Sequence, residues 1–255
     1  MREDKEELEE KYSLDILRHS TAHIMAQAVK RIFPQTKLGI GPSIKNGFYY
    51  DFDLKGDLLS KNLSCIEKEM EKIIKDNLAF KRTVVDKKEA ERIFKEREEP
   101  YKLELLNQIK DDKVSLYQQG EFVDLCRGPH LKETGEVKFF RLLSLAGSYW
   151  RGKEGNPMLS RIYGTSFFKK EELNKYLKQI EEAKKRDHRK IGKDLELFTA
   201  SSELGKGLVI YYPKGAIIRE VIEDFEKKEH LKRGYQLVIT PHLSLAELWK
   251  TSGHL

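Results

Sequence analysis

The chain has 255 residues, room for about two domains at roughly 150 residues each. With 39% hydrophobic residues, 12 Phe and 11 Tyr it is too apolar for a disordered chain, and its longest uncharged run, the 12 residues Tyr235 to Ala246, is too short to cross a membrane. Its charge of +6 is uneven: thirteen Lys/Arg against six Asp/Glu lie between Arg151 and Lys193, an excess that suits either a polyanion such as RNA or a solvated helix face. Two cysteines make no disulfide framework, and the acidic start has no apolar signal region, so a reducing, cytoplasmic setting is expected.

Residues 1–12 read as a charged leader. A helix is predicted from Ser13, a suitable N-cap, to Phe33, where Pro34 ends it. Leu14, Leu17, Ala22, Ile24, Met25, Ala28, Val29, Ile32 and Phe33 form its broad apolar arc. His19 and His23 fall just outside that arc, beside Ala26 and Lys30. Strand-like segments follow at Gly39–Pro42 and Gly47–Asp53, then a helix from Leu63 to Ile74 and a strand from Phe80 to Val85. Helical patches cover Lys87–Arg97 and Tyr101–Ile109; Val114–Tyr117, Glu121–Leu125 and parts of 136–150 and 158–165 are extended. No βαβ alternation runs through these elements, so an α+β domain with an antiparallel sheet and flanking helices is expected. A single charged connector helix is predicted over about Lys169–Arg189. Beyond Gly192 come a strand at Leu208–Tyr212, a helix at Ala216–Leu231 and a strand at Gln236–Thr240.

His19 and His23 sit one turn apart on a helix face, and Asp124-Leu125-Cys126-Arg127-Gly128-Pro129-His130 puts a thiol and a third imidazole on a turn after a strand. Three His and one Cys make a competent tetrahedral zinc set. They equally suit a hydrolytic pocket that holds water and substrate by hydrogen bonds. Two core-edge histidines and an idle loop cysteine are the plain alternative.

These blocks closely resemble the editing domain of the threonyl-tRNA synthetases. The resemblance rests on His19-Ser20-Thr21-Ala22-His23, Gly47-Phe48-Tyr49-Tyr50-Asp51, Asp124 to His130, Gly147-Ser148-Tyr149-Trp150-Arg151-Gly152 and Arg161-Ile162-Tyr163-Gly164-Thr165. Lys185 to Gly192 is similar to the family's connector, and Ala216–Leu231 followed by Arg233 to Pro241 resembles motif 1 of class II synthetases. The two class II motifs that grip ATP are not found in these residues.

The resemblance implies an editing domain at 13–168, a connector at 169–192 and the start of a class II aminoacylation domain at 193–255. It implies His19, Lys102 and Asp124 as catalytic residues and His23, Tyr50, Cys126 and His130 as substrate-binding ones. Lys184, Lys185, Arg186, Arg189 and Lys190 are the expected tRNA contacts, and Lys30 lies outside the implied pocket. The implied reaction is hydrolysis of seryl-tRNA(Thr) without a metal or other cofactor. A full-length member would ligate threonine to tRNA(Thr) with ATP, Mg2+ and Zn2+, at sites outside these residues, as a homodimer. If a metal is bound, its ligands are His19, His23, Cys126 and His130. The rival readings are a freestanding, zinc-dependent hydrolase of the alanyl type and a non-catalytic tRNA-binding or dimerisation module.

Overall fold

The computed structural model describes residues 11–54, 62–200, 203, 205 and 207–253; most of the charged leader lies outside them. The chain divides into two compact units, residues 1–178 and 179–255. No helix among the described residues is long and apolar enough to cross a membrane.

The first unit is α+β. Helix α1 (Leu14–Ile32) starts where expected, with the Ser13 hydroxyl accepting from the Ile16 amide. Two short strands, β1 (Lys37–Leu38) and β2 (Ser43–Ile44), pair along one edge of β3 (Gly47–Asp53). Strand β3 then pairs with β8 (Met158–Phe167), and β8 with β7 (Phe139–Tyr149), every pairing antiparallel. A separate antiparallel sheet joins β4 (Lys81–Asp86), β5 (Lys113–Gln119) and β6 (Phe122–Leu125). Helices α2 (Leu63–Lys75), α3 (Lys87–Glu96) and α4 (Pro100–Gln108) complete the unit.

Strand β3 turns Phe48, Tyr50 and Phe52 to one side, where all three are fully buried against α1 and its neighbours. This is the two-residue period of a strand with one face on a core. The expected apolar arc of α1 lies in the core, and the structure encloses much of its polar side as well. The helix packs against β3, β8 and α2, and Leu17 through Val29 are buried except for half-buried His19. Polar Ser20, Thr21, His23 and Gln27 are therefore enclosed, and an enclosed polar group has to find a partner. A smaller core joins Ala90 and Phe94 of α3, Leu106 of α4 and Val114 and Leu116 of β5.

The expected single connector helix is two helices. The first, α5 (Lys170–Lys185), is followed by α6 (His188–Asp194), and the break falls at Asp187. Asp187 is extended, and its carboxylate caps α6 by accepting from the Arg189 amide at 2.8 Å.

In the second unit, β9 (Phe198–Ala200) and β10 (Val209–Tyr211) form a hairpin ahead of α7 (Pro213–Lys232), and α8 (Ala246–Thr251) follows. Helix α7 begins three residues earlier than predicted because Pro213 suits the first helical position. Gln236–Thr240, expected as a strand, pairs with no described strand, and Leu237, Val238 and Ile239 are exposed. Hydrophobic, β-prone residues do not make a strand without a partner for their backbone groups.

A buried polar cluster as candidate functional site

Five segments converge on one cluster. Helix α1 contributes His19 and His23, β3 contributes Tyr50, α4 contributes Lys102, β6 contributes Asp124, and the loop after β6 contributes Cys126 and His130. All seven side chains expected from the sequence for catalysis and substrate binding are thus brought together. Lys184, Lys185, Arg186, Arg189 and Lys190 belong to the second unit. Several of these are neutralised locally, Lys185 and Arg186 by Glu182 and Arg189 by Asp187.

The deep side of the cluster is a charged triangle. The Lys102 ammonium lies 2.5 Å from Asp124 Oδ1 and donates to the Tyr50 hydroxyl at 3.0 Å. That hydroxyl donates to Asp124 Oδ2 at 2.6 Å, and His23 Nε2 lies 3.6 Å from the same oxygen. Tyr50, Lys102, Asp124 and His23 are each at most 2% exposed. A buried ion pair survives only when its remaining valences are met, and Tyr50 meets one on each partner. The ammonium has three protons, so two such contacts leave it one donor for a further ligand.

The outer side is a thiol–imidazole set. Cys126 Sγ lies 3.3 Å from His19 Nε2 and 3.2 Å from His130 Nε2, and it accepts from the Gly128 amide. The turn requires Gly128, whose φ of +71° is left-handed and whose α-carbon leaves no room for a Cβ beneath the Tyr117 hydroxyl. His130 is clamped between Phe80, stacked at 5.2 Å, and Tyr117, edge-on at 4.4 Å. Half-buried His19 and Cys126 form the open side of the cluster.

Three supporting residues were missed from sequence. Ser20 Oγ contacts His130 Nδ1 at 3.1 Å and accepts from the Leu131 amide at 2.9 Å, latching the Cys-His loop onto α1. Its signal was its place between His19 and His23. Phe80 and Tyr117 gave only the ordinary pattern of strand aromatics.

Burial sets the protonation of the cluster. It holds the His19, His23 and His130 imidazoles below their ordinary pKa, with Asp124 opposing the shift at His19 and His130. Burial, reinforced by Asp124, pushes the Cys126 thiol up to about 12. In the metal-free protein the cysteine is therefore a thiol and no nucleophile, while the imidazoles are neutral, and half-buried His19 keeps an unprotonated nitrogen on the open side. Burial and then Asp124 hold the Tyr50 phenol well above its ordinary pKa, so it stays a donor.

A stability consequence follows. Below about pH 6.5 the unfolded chain protonates His23 but the native state does not, so stability falls as pH drops, by about 1.4 kcal/mol per pH unit for each imidazole kept neutral. Thermal unfolding of metal-free protein between pH 7 and pH 5 should show a shallower slope for His23→Gln than for the parent. Equal slopes would mean that His23 is charged in the fold.

The donor set also suits a metal. The ligand atoms of His19, His23, Cys126 and His130 all lie within 4.8 Å of one another. His23 Nδ1 is buried without a hydrogen-bond partner among the described residues, and the Ser20 contact orients His130 as a supporting group orients a metal ligand. Three nitrogens and one sulfur are a zinc-type set.

The family described as the threonyl and alanyl tRNA synthetase second additional domain matches residues 114–163, from β5 through Cys126 and His130 into β8. The chain is 58% identical over 241 residues to a threonine–tRNA ligase of Dehalococcoides mccartyi, covering 94% of this chain and 41% of that protein. It is 56% identical over 241 residues to that of Oleidesulfovibrio alaskensis, covering 94% and 37%. With that of a Sulfurihydrogenibium species it shares 55% over 252 residues, 97% of this chain and 39% of the relative. The resemblance read from the motifs thus extends over nearly the whole chain, which spans about two fifths of the length of these enzymes.

Proposed function

We propose that this chain is the editing portion of a threonine–tRNA ligase, with residues 13–168 the editing domain, 169–192 the connector and 193–255 the beginning of the aminoacylation domain. Its reaction is hydrolysis of the ester that joins serine to tRNA(Thr), in the cytoplasm. The observation that carries this reading is the convergence of His19, His23, Tyr50, Lys102, Asp124, Cys126 and His130, scattered over more than a hundred residues, into one hydrogen-bonded cluster with an open side. The similarity to the ligases supports it.

Editing answers a limit of binding. Serine lacks one methyl of threonine, worth only about 1–3 kcal/mol in a pocket, too little for accurate selection. A second site that admits the smaller side chain and excludes the larger one removes the error.

In this mechanism His19, neutral and on the open side, takes a proton from water as the water oxygen bonds to the ester carbonyl carbon. The free donor of Lys102 stabilises the charge that builds on the carbonyl oxygen. The carbon–oxygen bond to the ribose then breaks, and the proton passes from His19 to the departing ribose hydroxyl. Asp124 holds the serine ammonium, while His23, Tyr50, Cys126 and His130 shape the side-chain pocket. Lys184, Lys185, Arg186, Arg189 and Lys190 contact the RNA backbone, Lys184 and Lys190 having no ion pair among the described contacts. In the complete ligase, with its ATP, Mg2+ and Zn2+, the exposed Val221, Ile222 and Phe225 of α7 join a homodimer interface.

The His/Cys geometry favours a second reading, in which the same four donors hold Zn2+. The metal would supply Lewis-acid activation of water or substrate. One experiment separates these readings. The purified chain should hydrolyse seryl-tRNA(Thr), spare threonyl-tRNA(Thr) and keep its rate after chelation. Loss of rate on chelation, with restoration by Zn2+, would establish the second reading. Equal cleavage of both esters, or none by folded protein that binds tRNA, would overturn the editing function.

A further inference from the structure

Helix α4 delivers Lys102 to the cluster, yet with only nine residues it is too short to hold its own conformation in water. One of its faces is held by the block Gly147–Gly152. Trp150 Nε1 donates to Glu104 at 2.9 Å, Arg151 pairs with the same carboxylate at 3.0 Å, and the Trp150 ring lies 4.8 Å from that of Tyr101. Tyr101 also donates to Asp53 on β3 at 2.7 Å.

The other hold is less expected. Glu99, the N-cap residue of α4, leaves its own helix uncapped by its side chain. Its carboxylate is 2% exposed and turns inward. One oxygen accepts from Lys30 of α1 at 2.8 Å, and the other accepts from the Leu38 amide of β1 at 2.7 Å. The Lys30 ammonium is fixed in turn by the Thr36 carbonyl at 2.8 Å. Lys30 follows His23 by seven residues, two turns along the same side of α1. Lys102 follows Glu99 by three residues, within the first turn of α4 after its N-cap. Lys30 thus lies outside the cluster, as expected from the sequence, yet it is tied through Glu99 to the start of the helix that carries Lys102. The helix carrying the two histidines also carries the cation that anchors the helix carrying Lys102.

We propose that Glu99 is a positioning residue, which through Lys30 and the Leu38 amide fixes the register of α4 so that Lys102 reaches Tyr50 and Asp124 together. This inference rests on the editing reading for its effect on rate, though not for its effect on Lys102. A carboxylate serves this role and an amide does not, because both partners of Glu99 are donors and an amide has only one acceptor atom. A displacement near 1 Å at a reacting group is enough to cost up to about a hundredfold in rate.

The test compares Glu99→Gln, Lys30→Gln and the double variant with Glu89→Gln, which removes an exposed carboxylate paired with Arg92 on α3. Seryl-tRNA hydrolysis should show kcat lower by about ten- to a hundredfold for Glu99→Gln at unchanged KM. The double variant should be little worse than the more affected single one, because the pair acts as a unit. In protein labelled with 15N-lysine, the Lys102 Nζ resonance, assigned by its loss in Lys102→Met, should move in Glu99→Gln and stay in Glu89→Gln. If Glu99→Gln does not fold, the partly exposed Lys30→Gln carries the same comparison. Lower thermal stability with unchanged kcat and an unmoved Lys102 resonance would overturn the proposal. Folded parent protein without seryl-tRNA hydrolysis would overturn the editing reading instead, and the Lys102 resonance would still decide the role of Glu99.

Discussion

Replacing Lys102 by Ala should lower seryl-tRNA hydrolysis by about 10²–10³, the usual worth of one donor aimed at a developing oxyanion. The same change strips the ammonium paired with Asp124, whose side chain is 3% exposed in that pair, so the fold should also weaken by about 3–5 kcal/mol. The two effects are separable. Lys102→Met combined with Asp124→Asn removes both charges, leaving no uncompensated ion in the core. Stability should recover most of the loss while hydrolysis stays low. Single-turnover deacylation alongside urea denaturation reads both quantities. If folded Lys102→Ala loses stability but keeps its single-turnover rate, the lysine is only a structural counter-ion.

The second large effect is expected at a residue with no reactive group. A Cβ at Gly41 would lie 1.9 Å from Cδ2 of Tyr50. The Tyr50 ring cannot retreat freely, because it is fully buried and stacked on Phe52 at 5.0 Å. Gly41→Ala must therefore displace the phenol that joins Lys102 to Asp124. Overpacking of this kind costs about 1–3 kcal/mol, and misplacement of the triangle should reduce hydrolysis about a hundredfold. Gly155→Ala is the matched control, since a Cβ there meets nothing within 4 Å. Its stability should stay within about 0.5 kcal/mol of the parent. Wild-type activity in Gly41→Ala would show that the Tyr50 ring has no part in the chemistry.

Local order was legible along the chain wherever a local signal carries it. Ser13 and Pro34 bracket α1, and the apolar spacing of Leu63 to Ile74 marks α2. A signal of the same kind, the capping carboxylate of Asp187, was outweighed by a continuous helical period, and the connector was read through the break. Gln236–Thr240 shows the converse, since β-propensity is a property of residues but a strand is a property of pairs.

For the candidate site, the amino-acid order alone singled out His19, His23, Cys126 and His130, because their spacings of four bring chemistry-bearing groups onto one helix face and one turn. Tyr50, Lys102 and Asp124 entered through the family resemblance; taken singly they are a strand tyrosine, a helix lysine and a strand aspartate. What only the tertiary structure decided is which polar groups lose water and what they meet when they do. Burial of α1 on nearly every side turns Ser20 into a latch for His130, keeps the imidazoles neutral and holds the thiol protonated. The pairing of Lys30 with Glu99, 69 positions apart, has no local signature. Desolvation and partner choice depend on what packs across the core, so they are fixed by the whole fold rather than by any window of the chain.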